Sequence, residues 1–236
     1  MPKIYFHATI PAMSSTETTP SYGARFKNTT TAQKYADRFE RPTHRHINRR
    51  EQIALARMLH HLDGVQIQSM LDMPCGAGRF LPTLCDPSRT LIQMDISHEM
   101  LALAHDRLSS HSTRCKVHFI QGSAFTLPLA DNSIDCVFCN RLLHHFKDAP
   151  DRLKLLRELH RITRRYLIVS FFDYHRFGKL RVILKRLRGR KPDYSGYPTK
   201  ATFEAELSQV GFKVHRIEPT GGPWVAQVYY LLEKSR

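Results

Sequence analysis

Apolar and polar positions change texture along the 236 residues in a way that predicts most of the architecture. Over residues 30–39 and 49–62 apolar side chains recur at helical spacing, with Ala32, Tyr35, Ala36 and Phe39 on one face. Asp63-Gly64 then closes the second helix. Beyond it, short apolar runs alternate with helical segments, the pattern of βαβ units around a parallel sheet. Strands are expected at residues 69–73, 90–94, 116–120, 134–139 and 166–171. Helices are expected at 98–109, with Met100, Leu101, Ala104 and Leu108 inward, then at 150–162 and at 202–210, ended by Gly211. Two closing strands, 213–217 and 224–232, are separated only by residues 218–223. That is too short for a crossover helix, so they pair antiparallel. The expected fold class is α/β, a mostly parallel seven-stranded sheet closed by an antiparallel C-terminal hairpin.

Composition narrows the class without changing it. Hydrophobic residues are 42% and charged residues 24%, ordinary for a soluble globular chain, and the length suits one domain with small appendages. Residues 1–30, with Ser14, Ser15, Thr16, Thr18 and Thr19 crowded together, read as a flexible lead-in. Residues 31–236 read as the domain, with cap helices over 31–64. No stretch approaches the ~18–20 apolar residues of a membrane span, and no apolar core follows a basic start as in a secretory signal. Five cysteines at irregular spacing suggest reduced thiols and a cytoplasmic location. Cys136 and Cys139 form a C-x-x-C inside a strand, where they point to opposite faces, so no metal site is expected. Charge is the outlying property: 36 Lys+Arg against 21 Asp+Glu give +15, a field that concentrates anionic partners.

Candidate chemistry begins at Leu71-Asp72-Met73-Pro74-Cys75-Gly76-Ala77-Gly78, a strand running into a glycine turn. Glycines there let backbone approach a ligand that a Cβ would obstruct. Asp95 lies 19 residues beyond Gly76 at the tip of the next strand, where a carboxylate accepts from both ribose hydroxyls of an adenosine. Nicotinamide dinucleotides and S-adenosyl-L-methionine both suit such a site. A dinucleotide fingerprint wants a third glycine where this chain has Leu81, and Asp72 would repel a pyrophosphate but attract a cationic amino acid. The plainer alternatives are that Asp72 and Asp95 cap the following helices, Asn140 ends a strand and Tyr35 packs in the core.

In order and spacing, residues 69–172 resemble the class I S-adenosylmethionine-dependent methyltransferases. Residues 71–78 are similar to the first motif of that family and Asp95 to the acid of the second. Residues 121–129 resemble the adenine loop, with Ser123 in place of the usual aspartate, and residues 131–146 the fourth motif. The resemblance implies an S-adenosyl-L-methionine site on Asp72, Met73, Gly76, Gly78, Asp95, Ile96, Ser123, Ala124 and Asn140, with Tyr35 against the methionine portion. His144 and His145, just past the fourth strand, are candidate general bases, His145 preferred, because imidazole accepts a proton near neutral pH.

Between residues 172 and 200 a basic insert interrupts the alternation. Phe177, Leu180, Leu184 and Leu187 form one helical stripe flanked by Lys179, Arg181, Lys185, Arg186 and Arg188. Such a helix suits a lid over the acceptor that also meets an anionic membrane surface, or a phosphate-binding face for RNA extended by Arg161, Arg164 and Arg165. Tyr194, Tyr197 and Pro198 beyond it are candidate acceptor walls. The expected partner is a small or lipid-linked anionic substrate, with peripheral membrane contact and nucleic acid less favoured. An RNA methyltransferase and a non-catalytic S-adenosylmethionine-binding regulator are the competing functions.

Overall fold

A computed structural model describes residues 28–110, 115–174, 187, 189, 196–222 and 224–235. Two helices lead. The first, α1, is Thr29–Asp37, where the Asn28 side chain accepts from the Thr30 N–H at 2.8 Å. The second, α2, is Pro42–His60. It begins earlier than expected because Pro42 suits a first helical turn, while the polar stretch after it carries no apolar periodicity. Gly64 follows at φ +81°, as the Asp63-Gly64 stop anticipates.

The strands are β1 Ser69–Asp72, β2 Thr90–Asp95, β3 Lys116–Gln121, β4 Ile134–Cys139, β5 Thr163–Phe172, β6 Phe212–Pro219 and β7 Gln227–Lys234. They form one sheet in the order β3-β2-β1-β4-β5-β7-β6. The first five run parallel, and β7 is antiparallel to both β5 and β6. The expected hairpin is present, but its second strand slots between β5 and β6. β7 begins at Gln227, leaving Trp224 in the connecting turn, 61% exposed.

Three further helices complete the layers: α4 His98–Ser109, α5 Ala149–Ile162 and α6 Lys200–Gln209. Between the glycine turn and β2, α3 (Leu81–Leu84) is a single turn. It stops at Asp86-Pro87 because the residue before a proline avoids helical backbone. Each face of the sheet carries its own core. Leu155, Leu156 and Leu159 of α5 and Phe203 and Leu207 of α6 pack with Val137, Cys139 and Val169 on one side. On the other side Ala54, Leu55 and Met58 of α2 meet Met70, Cys136, Phe138 and Tyr229. Cys136 and Cys139 thus occupy opposite faces, as strand alternation requires.

One cysteine expectation is corrected: Cys85 and Cys115 are joined as a disulfide, their Cα atoms 5.5 Å apart. Because α3 is so short, Cys85 falls beside the start of β3, an adjacency that a spacing of 30 residues does not reveal. The lead-in to residue 27 and, except for Leu187 and Gly189, residues 175–195 of the basic insert lie outside the described residues, and so do the expectations placed on them. Among the described residues no helix is long and apolar enough to cross a membrane.

Candidate active site

The sheet order reverses at β1, whose neighbours β2 and β4 are reached by connections running in opposite directions, and a crevice opens at the carboxyl ends of such strands. A cavity of about 140 Å³ occupies it, roofed by Tyr35, Ala36 and Phe39 from α1 and the turn after it. Strand order arranges its walls in sequence. Gly122, Ser123, Ala124 and Phe125 follow β3; Asp95 and Ile96 end β2; Met73 and Gly76 follow β1; Asn140, Arg141 and Leu142 follow β4. Of the residues expected in a cofactor site, Tyr35, Met73, Gly76, Asp95, Ile96, Ser123, Ala124 and Asn140 therefore meet in one cavity, whereas Asp72 and Gly78 lie behind its wall.

Asp95 is 6% exposed and held from two sides: its Oδ1 accepts from the Ser97 N–H at 3.0 Å and its Oδ2 from the Gly76 N–H at 2.9 Å. Burial raises its pKa above the ordinary carboxylate value, against the pull of those backbone donors. It does not cap α4, since the Ser97 hydroxyl does so by accepting from the Met100 N–H. The two glycines differ in use. Gly76 has φ +54° with open space where a Cβ would stand, so the backbone itself forms the cavity wall. Gly78 has φ +68°, and a Cβ there would come within 3.1 Å of Ala104 Cα and Cβ; its role is the packing of α4.

Asp72 is fully buried, its Oδ2 accepting from Gln93 Nε2 at 3.1 Å and its Oδ1 without a partner. Burial pushes its pKa up to about 8; the Gln93 hydrogen bond and the Arg79 charge oppose the rise and Asp95 adds to it. It caps no helix. Ser123 Oγ accepts from the Phe125 N–H at 3.2 Å, a turn that turns Phe125 onto Phe146, ring centroids 5.2 Å apart. The Asn140 amide oxygen accepts from Gln227 Nε2 of β7 at 3.1 Å, tying the β4 loop to the closing strand.

An ionic cluster in the wall went unforeseen. Glu51 of α2, 1% exposed, accepts from Arg79 Nη2 at 2.6 Å and from Arg141 Nε at 3.0 Å. Burial would raise its pKa, but the two guanidiniums hold it below the ordinary value. Arg79 lies over the Phe39 and Phe80 rings at 4.2 and 4.1 Å. A signal was available: Glu51 falls at helical spacing with Ala54, Leu55 and Met58, so an acid occupies the apolar face of α2. Its partners, far away in sequence, left no such trace.

The histidine pair stands apart from the main cavity. His144 instead lines a second, smaller cavity with Phe172, Tyr174, Tyr197 and Pro198, its ring 4.6 Å from Phe172 and 3.9 Å from His145. Burial, then the His145 and Arg141 charges, lower its pKa to about 3, so it is neutral at pH 7 but a weak proton acceptor. The loop carrying both histidines is anchored by Arg152 of α5. Its Nε donates to Glu206 Oε2 at 3.0 Å and its Nη2 to Oε1, while Nη1 donates to the carbonyls of Phe146 and Lys147. The arginines considered for an RNA surface are engaged within the fold: Arg161 with Glu158 and Asp131, Arg164 with Asp135, and Arg165 with Glu233.

The donor set suits an adenosine bearing a cationic amino acid: a buried carboxylate at the β2 tip, an open glycine wall beside it, and a second buried carboxyl with an unpartnered oxygen behind. Residues 71–168 match the family model described as a methyltransferase domain. A ubiquinone/menaquinone biosynthesis C-methyltransferase of Legionella pneumophila (strain Lens) is 25% identical over 69% of this chain and 74% of its own length. A malonyl-[acyl-carrier protein] O-methyltransferase of Pectobacterium atrosepticum is 32% identical over 50% of this chain and 41% of its own. Among solved structures, magnesium protoporphyrin IX methyltransferase from Synechocystis PCC 6803 with bound S-adenosylhomocysteine superposes with a TM-score of 0.74. It covers 91% of this chain and 99% of that one at 19% identity, a likeness of fold. The chain therefore carries a class I methyltransferase domain and is an S-adenosylmethionine-dependent methyltransferase.

Proposed function

We propose that the enzyme methylates a small or lipid-linked anionic acceptor with a planar, apolar body. The observation that carries this reading is an aromatic strip with a cation at each end. Phe172 and Tyr174 stack with centroids 5.8 Å apart, and Tyr174 meets Tyr197 at 4.6 Å. The Arg141 guanidinium stands 5.5 Å from the Phe172 ring and Lys147 Nζ 5.0 Å from the Tyr197 ring. Such a strip offers stacking to a flat molecule and charge to its oxygens. Relatives named for quinone and porphyrin substrates lend it weight.

Each cofactor residue has a part in this reading. Ile96, Ser123, Ala124 and Phe125 receive the adenine, Asp95 accepts from the ribose hydroxyls, and Met73, Gly76, Asn140 and Tyr35 surround the methionine portion. Asp72, kept protonated in the free enzyme by burial, offers its unpartnered Oδ1 from behind the β1 turn. The cofactor supplies a methyl group already activated on a sulfonium. What remains for the protein is alignment and exclusion of water, and proximity alone lowers such a barrier by roughly 7–11 kcal/mol. His144, at about 3, walls the acceptor and contributes little to proton removal, which leaves the preferred candidate, His145, as the proposed general base where the acceptor carries a proton.

The test is transfer of labelled methyl from S-adenosylmethionine to a soluble naphthoquinol, to malonyl-acyl-carrier protein and to total tRNA. Labelling of the naphthoquinol supports the reading, and labelling of the acyl thioester alone keeps the anionic acceptor but refutes the planar, apolar body. Labelling of tRNA alone refutes it.

A further inference from the structure

The outward side of α2 carries positive charge that the fold does not neutralise. The helix holds Arg45, Arg49, Arg50 and Arg57, and its one acid, Glu51, is buried on the inward side with Ala54, Leu55 and Met58. Helical spacing places Arg49, Ile53 and Arg57 on the face opposite those buried positions. Arg45 and Arg49 are exposed and form no ion pair among the described residues. Arg161, Arg164 and Arg165, elsewhere on the surface, each meet an acid.

Apolar surface stands among these charges. Ile53 is 42% exposed on α2, and Trp224, the chain's single tryptophan, is largely exposed in the turn between β6 and β7. Helix and turn are neighbours. Arg57 Nη1 donates to Glu218 Oε1 of β6 at 2.9 Å, and a Cβ added at Gly221 would stand 3.0 Å from Arg50 Nη1. Arg216 Nε lies 3.9 Å from the same Glu218. The turn is fixed by its own hydrogen bonds: Thr220 Oγ1 donates to the Gln227 carbonyl at 2.9 Å and the Val225 N–H to the Gly222 carbonyl at 3.0 Å. A held turn that presents a tryptophan to solvent beside an exposed isoleucine marks a contact surface.

That surface borders the mouth of the acceptor strip. Gln227, the first residue of β7, pairs with Phe172, and the Asp173 N–H donates to the Ala226 carbonyl at 2.9 Å. Phe172 begins the strip, so the turn carrying Trp224 stands at the same end of the sheet.

We propose that the outward face of α2 and the β6–β7 turn dock the enzyme on an anionic phospholipid surface. The arginines meet headgroup phosphates while Trp224 and Ile53 enter the boundary between headgroups and acyl chains. Phosphates alone would suit nucleic acid equally, and the apolar residues decide between them. An aliphatic side chain set among arginines gains from an acyl boundary and offers nothing to a base edge, and tryptophan favours the membrane–water interface. Docking here is separate from the choice of acceptor and holds whichever molecule is methylated. It brings the acceptor mouth to the lipid surface.

Because Trp224 is the single tryptophan, emission of the wild-type protein reports on the turn directly. The protein is titrated with vesicles of phosphatidylcholine, with phosphatidylcholine–phosphatidylglycerol vesicles, with the mixed vesicles carrying brominated acyl chains, and with total tRNA. Mixed vesicles are expected to bind and shift the emission to the blue, and their brominated form to quench it; phosphatidylcholine alone does neither. Each arginine near an anionic surface adds about fivefold to binding, so Arg45→Gln with Arg49→Gln should weaken it about 10- to 30-fold. Lys116→Gln with Arg157→Gln removes the same charge from exposed positions on β3 and α5 and should stay within about threefold. Binding of mixed vesicles without a change in emission overturns the proposal, as does an equal loss in the two double variants. Failure to bind mixed vesicles overturns it too, and a change in emission with tRNA alone then reassigns the face to nucleic acid.

Discussion

Asp72→Asn removes a carboxyl that the fold keeps from ionising, and its consequence is a change in how stability depends on pH. The group is fully buried, and its pKa moves from 3.8 to about 8, chiefly through burial. Between those values the folded protein holds a proton that the unfolded chain has released, so stability falls as pH rises across the window. At about 1.4 kcal/mol per pH unit, the whole displacement amounts to roughly 5–6 kcal/mol. Asparagine keeps the shape and the Gln93 contact and has no such dependence. Urea denaturation of both proteins at pH 5, 6, 7 and 8 checks this. Wild type should lose about 3–4 kcal/mol relative to the variant between pH 5 and 8, with the loss levelling off above pH 8. His144, held at about 3, acts oppositely, adding stability as pH rises toward 6.5, but it is present in both proteins and cancels in the difference. A difference independent of pH would refute the argument and mean that Asp72 is ionised in the free enzyme.

Arg152→Met leaves Glu206 buried without its partner and should cost about 3–5 kcal/mol. A thermal melt would show this as a fall of about 6–20 °C, largely recovered in the Arg152→Met, Glu206→Leu double variant. Gly78→Ala forces a methyl against Ala104 at 3.1 Å and should destabilise by about 2–3 kcal/mol, read by denaturation. Gly76→Ala costs about 1–2 kcal/mol through its φ of +54°, but chiefly weakens S-adenosylhomocysteine binding because its methyl enters the cavity. Air-oxidised protein should show three titratable thiols in denaturant and five after reduction. Cys85→Ser should then lose about 3–4 kcal/mol, and only under oxidising conditions, because the loop it opens is 30 residues long. His144→Gln should lower kcat less than tenfold; a loss of 10² or more would restore it as a base.

What the sequence determined by itself is whatever short-range pattern records. Strand periods, the glycine turn and the distance to Asp95 are local in the chain, and they located the sheet, Gly76 and Asp95; the resemblance to the class I methyltransferases added Tyr35, Met73, Ile96, Ser123, Ala124 and Asn140. The separate tasks of Gly76 and Gly78 were not legible, since one opens on a cavity and the other on Ala104, and only packing tells these apart. Nor was the place of β7 between β5 and β6, because antiparallel pairing of two closing strands fits either order. His144 and His145 read as bases because an imidazole in isolation titrates near neutrality; burial among aromatic rings removed that property from His144. The Glu51 cluster shows the limit most clearly. Arg79 and Arg141 lie 28 and 90 residues from the acid that holds them. Charge pairing acts through space over a few ångströms and leaves no period in the chain, so only the tertiary structure decided which charges meet and which of them line the cavity.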